Sequence, residues 1–243
     1  MRPFLNSTAL LVFMGLMMVV GCLPGGDPTT VESSTPINLS VLALGDSYTV
    51  GHSLPQQWSW PVQLADSLAS HGDTLQVLDV VAQTGWTTGD LLQALRSSLE
   101  LGELQTEPYG LVTLMIGVNN QFQGVDLEVF AAEMDTLIGL AVGLAGGSAD
   151  RVLGFSIPDY GLTPVGQLFN SQQIAAEIQA HNEILSQKFG TAGITLLDIT
   201  TPSLAVGDDP SLVSRDGLHY SARMYQQWVD LMLPDVCHCL ALN

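Results

Sequence analysis

Residues 111–120 read Leu111-Val112-Thr113-Leu114-Met115-Ile116-Gly117-Val118-Asn119-Asn120. The run up to Ile116 carries no charge and no polar alternation, which is the pattern of a strand buried on both faces. Such a strand belongs in a parallel sheet with helices on both sides, and Gly117 with the two asparagines marks where the chain leaves it. Outward from this run the same alternation repeats. Before it, residues 88–104 place Leu91, Leu92, Leu95 and Leu99 at helical spacing, with Thr87 or Thr88 as the cap. Residues 76–81 read as a strand, 58–71 as a helix carrying Val62, Leu64, Leu68 and Ala69, and 37–44 as the first strand. After it, 127–144 is helical, 151–157 a strand, and 171–189 a helix with Ile174, Ile178, His181 and Leu185 along one side. Residues 194–199 form the fifth strand and 221–233 the last helix. This alternation predicts an α/β domain built on a five-stranded open parallel sheet.

That domain is expected to span residues 37–243, where no internal repeat or second linker interrupts the pattern. The chain has 243 residues and is 47% hydrophobic, sufficient for one sizeable core. Lys and Arg number 6 against 24 Asp and Glu, a formal net charge of −18. A surface that neutralises phosphates needs clustered Lys and Arg, so nucleic acid is excluded as a partner. An anionic membrane surface would repel such a domain.

The first 36 residues read differently. Arg2 precedes the apolar run 9–20 (ALLVFMGLMMVV), shorter than the roughly 20 residues a spanning helix needs. It ends in Val19-Val20-Gly21-Cys22, which resembles the bacterial lipobox, whose cysteine is lipidated and becomes the new N-terminus. Residues 1–21 are therefore expected to be a lipoprotein signal peptide. Residues 22–36 are expected to be the lipidated Cys22 and a Pro-, Gly-, Ser- and Thr-rich flexible tether. An ordinary signal peptide with a chance cysteine is the alternative. The expected location is extracytoplasmic, with membrane attachment only through the lipid, in a compartment that permits disulfides. Cys237-His238-Cys239 lacks the further ligands that a metal site needs. A Cys-x-Cys disulfide or two free thiols remain open, and no metal is expected.

In open parallel sheets, ligands bind beyond the carboxyl ends of the strands. Gly45-Asp46-Ser47 follows the first strand and Gln83-Thr84-Gly85-Trp86 the second. Gly117-Val118-Asn119-Asn120-Gln121 follows the third and Pro158-Asp159-Tyr160-Gly161 the fourth. Ser214-Arg215-Asp216-Gly217-Leu218-His219-Tyr220 lies before the last helix. These rims supply what acyl transfer needs: a hydroxyl nucleophile, a base oriented by a carboxylate, and donors for an oxyanion. Singly, each has a plainer reading. Ser47 and Asp216 could cap helices, Asn119 and Asn120 could form turns, and Gly85 could be a tight turn.

Together and in order, they resemble the SGNH hydrolases, also called the GDSL esterases and lipases. The resemblance rests on Gly45-Asp46-Ser47, on Gly85, on Gly117-Val118-Asn119-Asn120 and on Asp216-x-x-His219. It implies a three-layer, flavodoxin-like α/β/α fold and a serine esterase that needs no cofactor. Ser47 would be the nucleophile, His219 its base, and Asp216 the acid that orients the imidazole. The backbone N–H groups of Ser47 and Gly85 and the Asn119 amide would receive the oxyanion. Asn120 stands where the family pattern usually has Asp, a residue that is not normally the triad acid. Asp46 is read as bracing the first turn. Trp86, Asn120 and Tyr160 are candidates to line the substrate pocket, with core packing for Trp86 and a turn role for Asn120 as alternatives. Trp58 and Trp60 share the same ambiguity. His52 lies near Ser47 in sequence, His71 reads as a helix end and His181 as a packed or surface residue. The expected partner is a small-molecule ester: an acyl lipid such as a lysophospholipid, favoured by the apolar rims, or an acetylated sugar. An acyltransferase on the same triad and a non-enzymatic binding lipoprotein are the competing classes.

Overall fold

The computed structural model describes residues 38–70 and 74–241. The expected signal peptide, Cys22, the tether and His71 lie outside the described residues. The elements follow in the order β1 (Asn38–Gly45), α1 (Ser47–Val50), α2 (Trp60–Ser70), β2 (Thr74–Ala82), α3 (Thr88–Leu101) and β3 (Leu111–Met115). Then come α4 (Val118–Gln123), α5 (Leu127–Leu144), β4 (Val152–Phe155), α6 (Ser171–Ala192), β5 (Thr195–Leu197), α7 (Thr200–Ser203) and α8 (Ala222–Ala241).

The strands form one sheet in the order β2-β1-β3-β4-β5, and each neighbouring pair is parallel. The chain leaves β1 toward β2, then returns across β1 to β3 and continues the other way. Right-handed crossovers therefore send α2 to one face and α3, α5 and α6 to the other. The contacts agree: α2 packs on α8, while α5 packs on both α3 and α6. The reversal of direction falls between β1 and β3, and the crevice beyond their carboxyl ends is where such sheets bind ligands.

Burial on both sides shows in the strands. All of β3 is buried, as are Val41, Leu42, Ala43 and Leu44 of β1. Helices cover them with apolar residues three and four apart: Leu91 and Leu95 of α3, Phe130, Met134, Leu137 and Ala141 of α5, and Ile174, Ile178, Leu185 and Phe189 of α6. On the opposite face Leu64 and Leu68 of α2 meet the buried stripe Tyr225, Trp228, Val229 and Met232 of α8.

Three features depart from the sequence reading. The stretches after β1 and β3, to which the sequence reading assigned no element, begin the short helices α1 and α4. The last helix continues through Pro234 to Ala241, so Cys237-His238-Cys239 is helical. Both cysteines are free, Cys237 exposed and Cys239 buried. Residues two apart on a helix face nearly opposite ways, which rules out a bond between them. No helix among the described residues is long and apolar enough to cross a membrane.

Helix α6 lies tight on the sheet because β4 offers it Gly154. A Cβ there would fall 2.5 Å from the ring of Phe189. Gly154→Ala is expected to force α6 outward and destabilise the domain by about 1–3 kcal/mol, the usual cost of overpacking, read as a lower midpoint in urea unfolding.

Candidate active site

Strand β1 hands the chain to α1 at Gly45. A Cβ on Gly45 would lie 2.1 Å from Thr49 Oγ1 and 2.5 Å from the Met115 carbonyl oxygen, so the tight exit requires glycine. Asp46 caps the new helix: its Oδ1 accepts the Tyr48 N–H at 3.0 Å. Burial pushes the Asp46 carboxyl up to about 7 against that hydrogen bond. Ser47 is therefore not the cap. It is the first residue of α1, where the helix leaves backbone N–H groups without internal partners, and it is buried at the wall of a cavity.

The loop before α8 is organised around Asp216. Its Oδ1 accepts the backbone N–H groups of Leu218 and His219, both at 3.0 Å, and the Ser214 hydroxyl at 2.8 Å. Its Oδ2 accepts the Ser53 hydroxyl at 2.5 Å and meets His219 Nδ1 at 2.6 Å. Burial opposes the charge on Asp216, but this set of donors outweighs it and holds the carboxyl well below the ordinary carboxylate range. With a carboxylate on Nδ1, the imidazole donates there and keeps Nε2 as its acceptor. Burial also draws the His219 imidazole below its ordinary value of 6.5; Asp216 acts in the opposite direction, and nearby His52 reinforces the fall.

Ser47 and His219 line the same cavity, of about 220 Å³, together with Gly85 and Asn119. No hydrogen bond among the described residues joins Ser47 Oγ to His219; such contacts are commonly long before substrate enters. Gly85 takes φ +88°, a left-handed backbone, and is exposed at the rim. The Asn119 amide donates to the Trp86 carbonyl at 2.9 Å. An amide has two hydrogens, so this bond fixes the side chain and leaves one N–H to spare.

Of the pocket candidates, Tyr160 lines the cavity, with its hydroxyl donating to Gln121 Oε1 at 3.0 Å. Asn120 does not. It is fully buried, with Oδ1 accepting the Thr88 N–H at 3.0 Å and Nδ2 donating to Thr88 Oγ1 at 2.6 Å. It ties α4 to the start of α3. Trp86 does not line the cavity either: its half-buried ring packs against the core, and its carbonyl holds the Asn119 amide. Trp60 is wholly buried against Phe155, and Trp58 is half exposed on a separate groove. His181 is buried in α6 with its Nδ1 on the Glu177 carbonyl, and His52 brings its ring centroid within 4.6 Å of that of His219.

The sequence reading expected apolar rims, with Val118 and Leu218 in the quoted stretches, but did not single out Phe122, Val165 and Phe169, which complete the apolar wall. Its one signal was Phe122, three residues after Asn119 and therefore on the same side once α4 is recognised as helical. It also missed Ser53 and Ser214, the hydroxyls on Asp216.

These elements occur in a known order. Residues 43–227 match the profile of the GDSL-like lipase/acylhydrolase family. The chain belongs to this family. A curated arylesterase of Vibrio mimicus is 33% identical over 110 residues, which is 45% of this chain and 52% of that protein. The chain thus matches about half the length of this curated relative. The psychrotrophic esterase EstA from Pseudoalteromonas sp. superposes with a TM-score of 0.63 at 18% identity, covering 84% of this chain and all of the other. TesA gives 0.65 at 17% identity over 82% of this chain and 99% of its own. The acetyl xylan esterase AlAXEase gives 0.63 at 18% over 81% and 98%. At these identities the structural likeness establishes the SGNH fold.

The GDSL-family pattern usually has Asp at the position of Asn120, and the departure has a local cause. Thr88 Oγ1 donates its one hydrogen to Glu133 Oε2 at 2.5 Å, so it can only accept from residue 120. An aspartate there would compete with Glu133 for the single Thr88 hydroxyl hydrogen, leaving one buried carboxylate oxygen without a donor. Asn120→Asp is expected to destabilise by about 1–3 kcal/mol, the cost of a buried group left unpaired. Adding Glu133→Gln should recover most of the loss, and a double-mutant cycle in denaturant measures that coupling.

Proposed function

We propose that the chain is a serine esterase that hydrolyses carboxylic esters of apolar acyl groups through an acyl-enzyme on Ser47. The observation that carries this reading is the 2.6 Å Asp216–His219 contact at a cavity whose wall also holds Ser47, Gly85 and Asn119. His219 Nε2 takes the Ser47 proton as Oγ attacks the ester carbonyl, and later returns a proton to the leaving alcohol. Asp216 stabilises the imidazolium formed between those steps. The oxyanion is received by the N–H groups of Ser47 and Gly85 and the spare N–H of Asn119, donors fixed before the reaction starts. Water activated by His219 then releases the acid.

The choice of acyl group follows from the remaining wall. Val118, Phe122, Tyr160, Val165, Phe169 and Leu218 offer hydrocarbon surface and few polar partners. Burial there favours an alkyl or aryl group and penalises sugar hydroxyls left without hydrogen bonds. At about 220 Å³ the cavity is smaller than the roughly 300–1,000 Å³ of drug-sized sites, so it suits the carbonyl end of a chain. Phe122 and Phe169, 60% and 54% exposed with ring centroids 6.2 Å apart, offer a path for the rest. This supports a lysophospholipase-like preference within the family. The lipobox-like Gly21-Cys22 supports display outside the cytoplasm on a lipid anchor.

A series of esters from acetyl to long-chain, assayed on wild type and Ser47→Ala, tests the reading. Wild type should prefer chains longer than acetyl, and Ser47→Ala should lose on the order of 10⁴-fold or more in kcat. Unchanged hydrolysis by Ser47→Ala would sink it. A sharp preference for acetylated sugars would move the substrate to carbohydrate, and acyl transfer to an added alcohol in place of water would make it a transferase. Asn119→Ala should cost about 10²–10³ in kcat.

The pH profile supplies a separate check. The base must be neutral to act, and burial lowers the His219 value, so its neutral form persists into mildly acidic solution. The acid limb of kcat/KM should therefore have its midpoint below 6.5.

A further inference from the structure

Ser53 is the one non-glycine residue with positive φ among the described residues, at +68°. Serine gains nothing intrinsic from this left-handed conformation; Gly and Asn adopt it at lower cost. The segment around it is tightly held. The His52 N–H donates to the Ser47 carbonyl at 2.9 Å and the Leu54 N–H to that of Gly51 at 3.0 Å. Gly51 itself has φ +70° and leaves no room for a Cβ, which would lie 2.8 Å from Ser59 Cβ. The strained position delivers one hydroxyl to Asp216 Oδ2 across 163 residues of sequence, and that oxygen is the one facing His219 Nδ1. Backbone strain of this kind persists where surrounding structure enforces it, and it clusters at functional sites.

The division of donors shows what Ser53 adds. Oδ1 is filled by three donors from the loop of Asp216 itself, so the carboxylate plane is set without Ser53. Ser53 is the only contact to Asp216 among the described hydrogen bonds that comes from the Ser47 side of the domain. We propose that Ser53 is a positioning residue for the ester hydrolysis assigned above. Its hydroxyl ties the segment after Ser47 to the His219 loop and withholds part of the Oδ2 charge from the imidazole. The proposal rests on the reading of Asp216 and His219 as the acid–base pair.

The direction of the effect follows. A carboxylate oxygen that accepts two strong donors is a weaker partner for each. Without the Ser53 hydroxyl, charge concentrates toward Nδ1, the imidazolium is better stabilised, and His219 becomes more basic. The groups facing His219 are Asp216 from its own loop, with Arg215 beside it in sequence, His52 from the segment after α1, and the Tyr48 ring of α1 at 5.8 Å. Substitution at Ser53 alters none of these groups chemically.

The test uses the full chain with Ser53→Ala, Ser53→Gly and Ser53→Asn. The His219 imidazole is titrated by NMR, its signal assigned by loss in His219→Asn, and kcat/KM is followed against pH. Ala and Gly should both raise the imidazole midpoint by about half a unit. They should move the acid limb upward with it and lower kcat severalfold with KM unchanged. Asn, which tolerates the left-handed backbone and carries an N–H donor, should restore the wild-type profile. The Gly variant should melt above the Ala variant, since neither donates and only alanine keeps the strain. A midpoint that stays or falls in both donor-less variants overturns the proposal, as does an Asn variant that behaves like Ala. Because the titration reads the Ser53–Asp216–His219 coupling directly, it remains decisive even if Ser47→Ala retains hydrolysis and the esterase reading fails.

Discussion

The centre of the sheet, β1 and β3, is covered on both faces, and that constraint organises the rest of the molecule. The side chains of Val41 to Leu44 in β1 and of all of β3 are closed off from water, so polar chemistry at the centre of the sheet can leave it only at the strand ends. The reversal of strand order opens a crevice there, and the residues on its wall follow strand ends or the final loop: Ser47 after β1, Gly85 after β2, Asn119 after β3, Tyr160 after β4. Crowding at these exits is severe. Gly45 has no room for a Cβ, and Gly117, at φ +127°, would place one 2.8 Å from Ile157. Short helices, α1 and α4, start immediately beyond those glycines and fix the side chains that follow.

Two aspartates in this region show how environment separates residues of one type. Asp46 is fully buried with only backbone N–H groups, those of Tyr48 and of Asp46 itself, on its carboxyl, and its value rises to about 7. Asp216 collects five donor groups and falls well below the carboxylate range. A group that must remain an anion beside an imidazolium needs the second environment. Asp46 has the first, which suits a brace inside a turn.

The strands and long helices were legible because burial imposes a period on many residues at once. The family blocks were legible because each lies beside such a period, just beyond a strand or, for Asp216 and His219, just before the last helix. What escaped the sequence lacked one of those supports. Helices α1 and α4 have four and six residues, too few to display a helical repeat. Asn120 looked like a rim residue, but its amide turns inward to Thr88, and nothing local marks Glu133 as the cause. Trp86 acts through its carbonyl, which no side-chain pattern reveals. Ser53 reaches Asp216 across the whole domain, and its left-handed φ breaks the usual preference for glycine or asparagine, so sequence alone pointed away from it.

Substrate choice and base strength at this site are two consequences of the same burial. An apolar wall that could shelter an acyl group also desolvates His219, and desolvation disfavours the imidazolium that the proposed mechanism requires. A base too weak to hold a proton would gain neutrality at rest and lose driving force in the proton transfer. Asp216 opposes that loss, and the donors that keep it ionised also limit how much charge it lends to Nδ1. The basicity of His219 is thus set by a balance between burial, with His52 beside it, on one side and Asp216 on the other. A deeper or drier pocket for longer chains would shift that balance toward a weaker base unless a donor on Oδ2 were relaxed. That places Ser53, on the same oxygen, where pocket polarity and proton transfer meet.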